Sequence, residues 1–436
     1  MWSSTSPSVP RYSIQTSPST KHGEVSSPVP STNKYGQSTF GQTLFNCVAM
    51  LVGVGLLSMP LAFAYAGWVI GIVLVLSYGF ISCYTAKIIA RIMLSDSSLR
   101  CYSDIGRKAF GPWSTPIISL MFCLELFAVS VLLVTLYADS LHSLLPRWSS
   151  NTYRLWSLIS LLPTVFLPLW LLSYSSILGI LSTLLIILVI FADGFSKHVS
   201  PGSLWSPAET SFSVSSWGNL GITFGLFIAG FGCHPVIPSL VRDMTEPHKF
   251  DKMINLAFIV ATSIYLLLAV AGYLMFGDSV NGEISIDLLK TAGYNKPLNQ
   301  LALWMLVLSP LSKFALTTQP ITATLEILLH IEEPLPSSNE ATGKVSTALD
   351  SRGNMKRSLR IFQRIFITWL SVMVSILVPG FSEILAFLGC SSAFLLCVIG
   401  PVAAKVSISG RCRVYDGVIM TLALLMAVWG TIALFL

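Results

Sequence analysis

Glu125, His234 and Lys313 stand inside runs of apolar residues, and two glycine-rich interruptions, at Gly53 and Gly55 and at Gly230 and Gly232, fall in runs of the same kind. The first interruption reads GVGLLSMP and ends on Pro60; the second reads GFGCHPVIP and adds Pro235 and Pro238. Glycine gives a helix little conformational restraint and proline removes a backbone donor, so a continuous helix is weakest where the two types crowd. A helix broken in hydrocarbon frees N–H and C=O groups that must face protein, a water-filled cavity or a ligand. Close helix packing is the alternative use of such glycines. The pairing favours the break, because interruptions at corresponding positions of two halves mark an inverted-repeat transporter with its site near the bilayer midplane.

A break in the first span presents N–H groups and the positive end of a half-helix dipole, which suits a carboxylate. Val52, Gly53, Gly55 and Leu56 would supply the backbone contacts. Phe231, Gly232 and His234 would close the pocket from the second break, with carbonyls at the end of the first half-helix available to an ammonium. The G-x-G spacing is no nucleotide fingerprint, since no βαβ unit surrounds it.

The ionisable residues inside the runs each need a reason, being costly in lipid. Glu125, in MFCLELFAVSVLL, is either a proton carrier or a neutral carboxyl bonded to a neighbouring helix. Lys313 follows Ser309, Pro310 and Ser312 in a long run with no route for its ammonium to the interface. It either occupies the place of a coupling cation or pairs with a carboxylate such as Glu125. His234 is either a proton carrier or a hydrogen-bonded gate residue. Asp139, Asp193 and Glu383 fall near the ends of runs and read as interfacial. No cofactor motif and no metal-ligand spacing occurs among the eight cysteines and six histidines.

These residues need elements to hold them, and the composition says which. Of 436 residues 53% are hydrophobic and 11% charged, with a mean hydropathy of +0.73. Soluble domains carry about 25% charged residues, so this chain belongs in a membrane. Apolar runs near 39–62, 68–94, 115–140, 154–173, 176–195, 217–240, 252–276, 298–329, 362–378, 382–404 and 415–435 give eleven spans, and a polar patch at 173–176 divides the fourth from the fifth. With the N-terminus cytoplasmic, alternating loops put twenty Lys and Arg on that side and five on the other, Lys313 being the remaining one. That bias satisfies the positive-inside rule and sets the C-terminus on the lumenal or extracellular side. Scattered among loops, the basic residues make no nucleic-acid stripe despite a net charge of +6. Residues 1–37, rich in Ser, Thr and Pro, read as a disordered cytoplasmic tail, and 330–360 as a flexible cytoplasmic linker. YSDIGRKAFG at 102–111 reads as a helix lying on the membrane surface. The expected fold is an all-α polytopic membrane protein, a 5+5 inverted repeat with broken helices 1 and 6 and an appended eleventh helix.

Over nearly the whole length beyond the tail, the chain resembles the amino acid/auxin permease family, above all its fungal vacuolar amino acid transporters. The matching stretches are GVGLLSMPLAFAYAGW, YSDIGRKAFG, FGCHPVIPSLVRDMTEPHKF, AGYLMFG at 271–277 and SPLSKFAL around Lys313. The resemblance implies a LeuT-like fold that moves amino acids, commonly with protons, across vacuolar, vesicular or plasma membranes. Sodium-coupled relatives generally carry Asn four residues before the first glycine of the break; Ala49 stands there in this chain, which favours protons and lets Lys313 stand in for the cation.

The reading that follows is a secondary transporter of neutral amino acids, proton-coupled, working by alternating access in the vacuolar or plasma membrane, with the amino acid, the proton and the bilayer as its partners. A sodium-coupled, auxin or polyamine permease and a transport-deficient nutrient receptor are its rivals. A membrane-embedded enzyme would need clustered His, Asp or Glu, and these residues are scattered singly.

Overall fold

The computed structural model describes residues 36–96, 98–167, 169–328, 347–378 and 380–436. Nearly all of the expected tail, and the linker as far as residue 346, lie outside the described residues. Fifteen helices carry the described chain: α1 (Phe40–Leu51), α2 (Met59–Ser95), α3 (Tyr102–Phe110), α4 (Ser114–Leu144), α5 (Ser150–Leu161), α6 (Leu169–Ser196), α7 (Trp217–Gly230), α8 (Ile237–Asp243), α9 (Phe250–Phe276), α10 (Ile284–Lys290), α11 (Lys296–Leu328), α12 (Thr347–Leu377), α13 (Phe381–Leu388), α14 (Gly400–Ser409) and α15 (Val414–Ala433). Short 3₁₀ turns at Val54–Ser58 and His234–Val236 separate α1 from α2 and α7 from α8, and a π-helical stretch, Gly389–Ile399, joins α13 to α14. Among the described residues nine helical runs are long and apolar enough to cross a membrane.

One of those runs, Val54–Ser95, contains two helices. Gly67 has φ 72° and ψ 172°, a conformation an L side chain rarely adopts, and the chain turns there. A Cβ at Gly67 would lie 2.5 Å from the Ser213 carbonyl oxygen. The loop before α7 thus fits onto the kink: Trp68 N–H donates to the Ser211 carbonyl at 3.2 Å and Ser215 N–H to the Tyr65 carbonyl at 3.1 Å. Glycine at 67 serves both the turn and this approach.

Two expected boundaries move. The division between the fourth and fifth spans falls between Phe166 and Leu169, not at 173–176. Pro163 stops α5, since its ring blocks the helical turn before it, and only a 3₁₀ turn follows as far as Phe166. The serines at 173–176 are carried inside α6, as membrane helices tolerate. The linker also ends early, because α12 begins at Thr347 and runs through the basic stretch NMKRSLR into the span. Lys and Arg are good helix formers, and nothing in that stretch breaks the turn.

The packing follows the repeat. α2 lies along α9 and α4 along α11, so the second and third spans of each half pack on their counterparts in the other half. α11 also packs on α6. α7 sits against α13, the π-helical stretch and α15 through small residues: a Cβ at Gly389 would lie 1.9 Å from the Gly225 carbonyl oxygen, and one at Gly221 2.6 Å from Ala433 Cβ. At the far end of α15, Asp416 is fully buried, and Lys405 reaches it with contacts of 2.9 and 2.8 Å while Tyr84 donates to it at 2.9 Å.

Candidate functional site

Both interruptions are short. α1 ends at Leu51, Val52 and Gly53 are the non-helical residues, and the 3₁₀ turn resumes at Val54. Gly53 has φ −96°, which any residue can adopt, and a Cβ there would meet nothing nearer than the Met50 carbonyl oxygen at 3.7 Å. Its missing side chain therefore clears space beside the break. Gly55 does another job: its Cβ would lie 3.4 Å from Gly230 Cα, so the two breaks touch backbone to backbone.

The freed backbone groups divide into those satisfied by protein and those left facing the gap. Val52 N–H donates to Val48 at 2.8 Å, Gly53 N–H to Leu51 at 2.8 Å, and Leu56 N–H to Gly53 at 3.4 Å. Val54 and Gly55, the first residues of the resumed turn, donate to no carbonyl among the described residues, as expected for the opening N–H groups of a helix. In the last turn of α1, the Ala49 and Met50 carbonyls accept no bond from beyond the helix. At the second break Phe231 N–H donates to Ile228 at 3.0 Å and Cys233 N–H to Phe231 at 3.0 Å. The Tyr265 hydroxyl, from α9, lies 2.7 Å from the Gly230 carbonyl and also contacts the Leu51 carbonyl.

A cavity of about 440 Å³ opens at this meeting point. Ala49, Met50, Leu51, Gly53, Val54 and Gly55 line it from the first break, Ala229, Gly230 and Gly232 from the second, Val129, Leu132 and Leu133 from α4, Lys313, Leu316 and Thr317 from α11, and Leu385 and Leu388 from α13. Its size falls in the roughly 300–1,000 Å³ range of small-molecule sites. Lys313 and Thr317 are the polar side chains on a wall that is otherwise backbone and hydrocarbon. A narrow space of about 10 Å³ adjoins it, bounded by Gly53, Val54, Leu56, Ser182, Thr183, Ser309 and Lys313.

Of the residues singled out in the sequence, Ala49, Gly53, Gly55, Gly230, Gly232 and Lys313 meet at the cavity and Leu56 at its narrow neighbour. The others stand off. Val52 is buried in the core, and Phe231 is fully buried, stacked on Phe258 at 6.2 Å and edge-on to Tyr265 at 5.2 Å, so it props the break from behind. His234 also points away: its Nε2 lies 2.8 Å from Thr85 Oγ1 and 3.1 Å from the Ser82 carbonyl, both on α2, and its Nδ1 is buried without a partner. Glu125 lies one turn of α4 before Val129, and its Oε1 is 3.8 Å from where a Cβ of Gly232 would be; its Oε2 is buried without a partner. Lys313 lays its stem over Gly179 of α6, with Cε 2.5 Å and Nζ 3.3 Å from the Cβ position there. Among the described residues no carboxylate pairs with Lys313, so the suggested pairing with Glu125 is not formed. Nor do three His, Cys, Asp or Glu converge on a metal position among them.

Sequence reasoning passed over the α4 and α13 walls, Thr317 and above all Tyr265. One signal was available for Tyr265: a tyrosine in the middle of an apolar run needs a partner for its hydroxyl. Which carbonyls it meets depends on the fold.

A polar knot forms where the start of α2 meets the segment before α10. Ser58 Oγ, at the start of α2, donates to the Gly282 carbonyl at 2.6 Å, and a Cβ at Gly282 would lie 2.9 Å from Ser382 Oγ. Next to it Glu283 is buried beside Asp139 and Arg154, which are 3.3 Å apart. Burial, and then the nearby Asp139 carboxylate, push the Glu283 carboxyl well above the ordinary carboxylate range despite Arg154.

Comparison with known proteins gives this architecture its family. The sequence model of a family described as transmembrane amino acid transporter protein matches residues 36–436. Amino acid transporter AVT1E of Arabidopsis thaliana is 29% identical over 385 residues, covering 85% of this chain and 67% of its own length; AVT1D of the same plant is 30% identical over 386 residues, covering 85% and 64%. The chain thus spans about two thirds of the length of these plant relatives. The vesicular GABA transporter of Caenorhabditis elegans is 24% identical over 393 residues, covering 87% and 73%. In fold, a substrate-bound, outward-open Na⁺-coupled sialic acid symporter superposes with a TM-score of 0.50 at 11% identity, covering 92% of this chain and 93% of that one. The expected LeuT-like fold is therefore present, and the chain belongs to the transmembrane amino acid transporter family, a multi-pass membrane family of transporters and not of enzymes.

Proposed function

We propose that this chain is a secondary active transporter that carries a neutral amino acid through the membrane by alternating access about the paired breaks, driven by protons. One observation carries the reading: Val54 and Gly55, whose N–H groups find no backbone acceptor among the described residues, and Ala49 and Met50, whose carbonyls accept no bond from beyond the helix, line one cavity at the break. The amide end, with the positive end of the helix dipole behind it, suits a carboxylate, and the carbonyl end suits an ammonium. Beyond Lys313 and Thr317 the wall, from Val129, Leu132, Leu133, Leu316, Leu385 and Leu388, offers a side chain hydrocarbon, which supports a neutral substrate with Lys313 reserved for the break.

Glu125 and Lys313 support proton coupling. The first is a carboxyl with an unpartnered oxygen one turn from the cavity, and the second is an amine reaching the space next to Gly53 where a coupling cation would otherwise lie. The names of the plant relatives support an amino acid cargo, and the vacuolar membrane is the proposed location, with the N-terminus cytoplasmic. The test is uptake of labelled amino acids into proteoliposomes. Uptake should follow an imposed pH gradient and ignore sodium; sodium-driven uptake, or uptake indifferent to both, would refute the coupling.

A further inference from the structure

Away from the central cavity, a cleft of about 390 Å³ lies between the surface helix α3, the ends of α2 and α4, and the π-helical stretch with α14. Ile105, Leu396 and Ala404 form its buried interior, while Phe110, Ile117 and Leu395 stand exposed at its mouth. On a membrane-spanning helix an exposed Ile faces hydrocarbon, so the cleft opens sideways into the bilayer. Water has nothing to hold there. The hydroxyls among its walls are already used, Tyr102 donating to the Leu396 carbonyl at 2.7 Å and Ser114 to the Gly111 carbonyl at 2.8 Å, and a water needs two to four polar partners to stay.

The rim says which hydrocarbon enters. Trp113 is 83% exposed just beyond α3, as an interfacial anchor would be. Ser407 donates to the Ala109 carbonyl, tying the end of α14 to the end of α3, and Gly410–Arg413 follow α14 directly in the chain. Near that tie Arg107 pairs with Asp104 and Lys108 with Asp96, while Arg411, two residues beyond the end of α14, is exposed and its guanidinium has no partner among the described residues.

We propose that this cleft binds one acyl chain of an anionic phospholipid from the leaflet that meets the basic loops, with Arg411 receiving its headgroup. The acyl chain fills space that α3 and α14 leave open, and the headgroup supplies the countercharge that the Arg411 guanidinium lacks among the described residues. Because the cleft is walled by α2 on one side and α4 on the other, an occupied cleft also spaces those two helices.

The test is native mass spectrometry of the full chain in detergent, incubated with phosphatidylglycerol or with phosphatidylcholine of the same acyl chains. Wild type should retain one phosphatidylglycerol and about fivefold less phosphatidylcholine, as expected for one basic residue at the headgroup. Ile117→Trp narrows the mouth from an exposed position that folding does not depend on, and Ala404→Phe fills the interior; each should lower retention by about tenfold, the effect of unburying roughly two methylenes. Arg411→Ala should remove the preference between the two lipids. Equal retention of both lipids by wild type, no retained lipid, or full retention by Ile117→Trp would each overturn the proposal.

Discussion

The Tyr265 hydroxyl lies 2.7 Å from the Gly230 carbonyl and also contacts the Leu51 carbonyl, so one phenol on α9 serves the C-terminal ends of both half-helices. A hydroxyl has a single hydrogen, which the two acceptors must share or exchange. Tyr265→Phe keeps the ring on Phe231 but leaves both carbonyls without that donor, at a cost of about 1–3 kcal/mol. The variant should melt measurably lower and take up substrate more slowly. Wild-type melting and uptake together would show that the hydroxyl does not hold the breaks.

The two glycines of the first break should separate by substitution. At Gly55 a bare Cβ makes ordinary contact with Gly230 Cα at 3.4 Å, but the γ-methyls of Val would run into the second break. Gly55→Ala should therefore keep part of the uptake and Gly55→Val should abolish it, with both proteins inserting normally. At Gly53 the Cβ position is open. Gly53→Ala should fold as wild type and raise the substrate KM, the methyl taking space from the cavity. Equal KM in Gly53→Ala and wild type would mean that the cavity beside Gly53 is not where substrate sits.

Much of this was legible from composition and punctuation. Long apolar runs in so uncharged a chain mark membrane helices, and Gly plus Pro crowded at two corresponding places weaken two of them, so the repeat and its paired breaks could be read from residue types. What could not be read is direction. His234 and Gly232 are two residues apart, yet Gly232 lines the cavity and His234 turns back to Thr85, because the chain leaves helical geometry at Gly232 and Cys233 before the 3₁₀ turn begins at His234. The walls from α4 and α13 escaped for the same reason: Val129 or Leu385 is an unremarkable apolar residue until packing aims it. Pro163 carried a boundary signal that the serines at 173–176 obscured.

Lys405 and Asp416 offer a stability test remote from transport. Asp416 is fully buried, and Lys405, whose side chain is 24% exposed, supplies its countercharge. Removing one partner of a buried pair strands the other charge, typically at about 3–5 kcal/mol. Lys405→Ala should then lower the melting temperature sharply, and Lys405→Ala with Asp416→Asn should recover much of the loss. If the double variant is no more stable than the single one, the pair is not what the site depends on.

Stability should also depend on pH through Glu283. Folding raises its carboxyl well above the ordinary value of about 4.3, so above that pH the folded chain retains a proton that the unfolded chain has released. The stabilisation from that proton is fully present below the unfolded pKa and is lost as pH rises through the folded one. Melting temperature in detergent should therefore fall as pH rises from about 4.3, and Glu283→Gln, which stays neutral, should flatten that decline. A decline of wild-type steepness in Glu283→Gln would assign the titration to another group.

Glu125 and Lys313 divide the coupling question. Glu125 stands one turn from the cavity with an unpartnered oxygen, while Lys313 touches the cavity itself and the narrow space beside Gly53. If Glu125 carries the proton, Glu125→Gln should abolish gradient-driven uptake yet permit exchange of internal for external substrate, because exchange needs the loaded site to turn over but no net proton movement. If Lys313 instead fills a cation's place, Lys313→Met should slow exchange and driven uptake together, since removing its charge alters the break in every state. Counterflow and pH-driven uptake measured on both variants distinguish the roles. Loss of both activities in Glu125→Gln would make that carboxyl part of the substrate site, and full driven uptake in Lys313→Met would leave the ammonium with no part in transport.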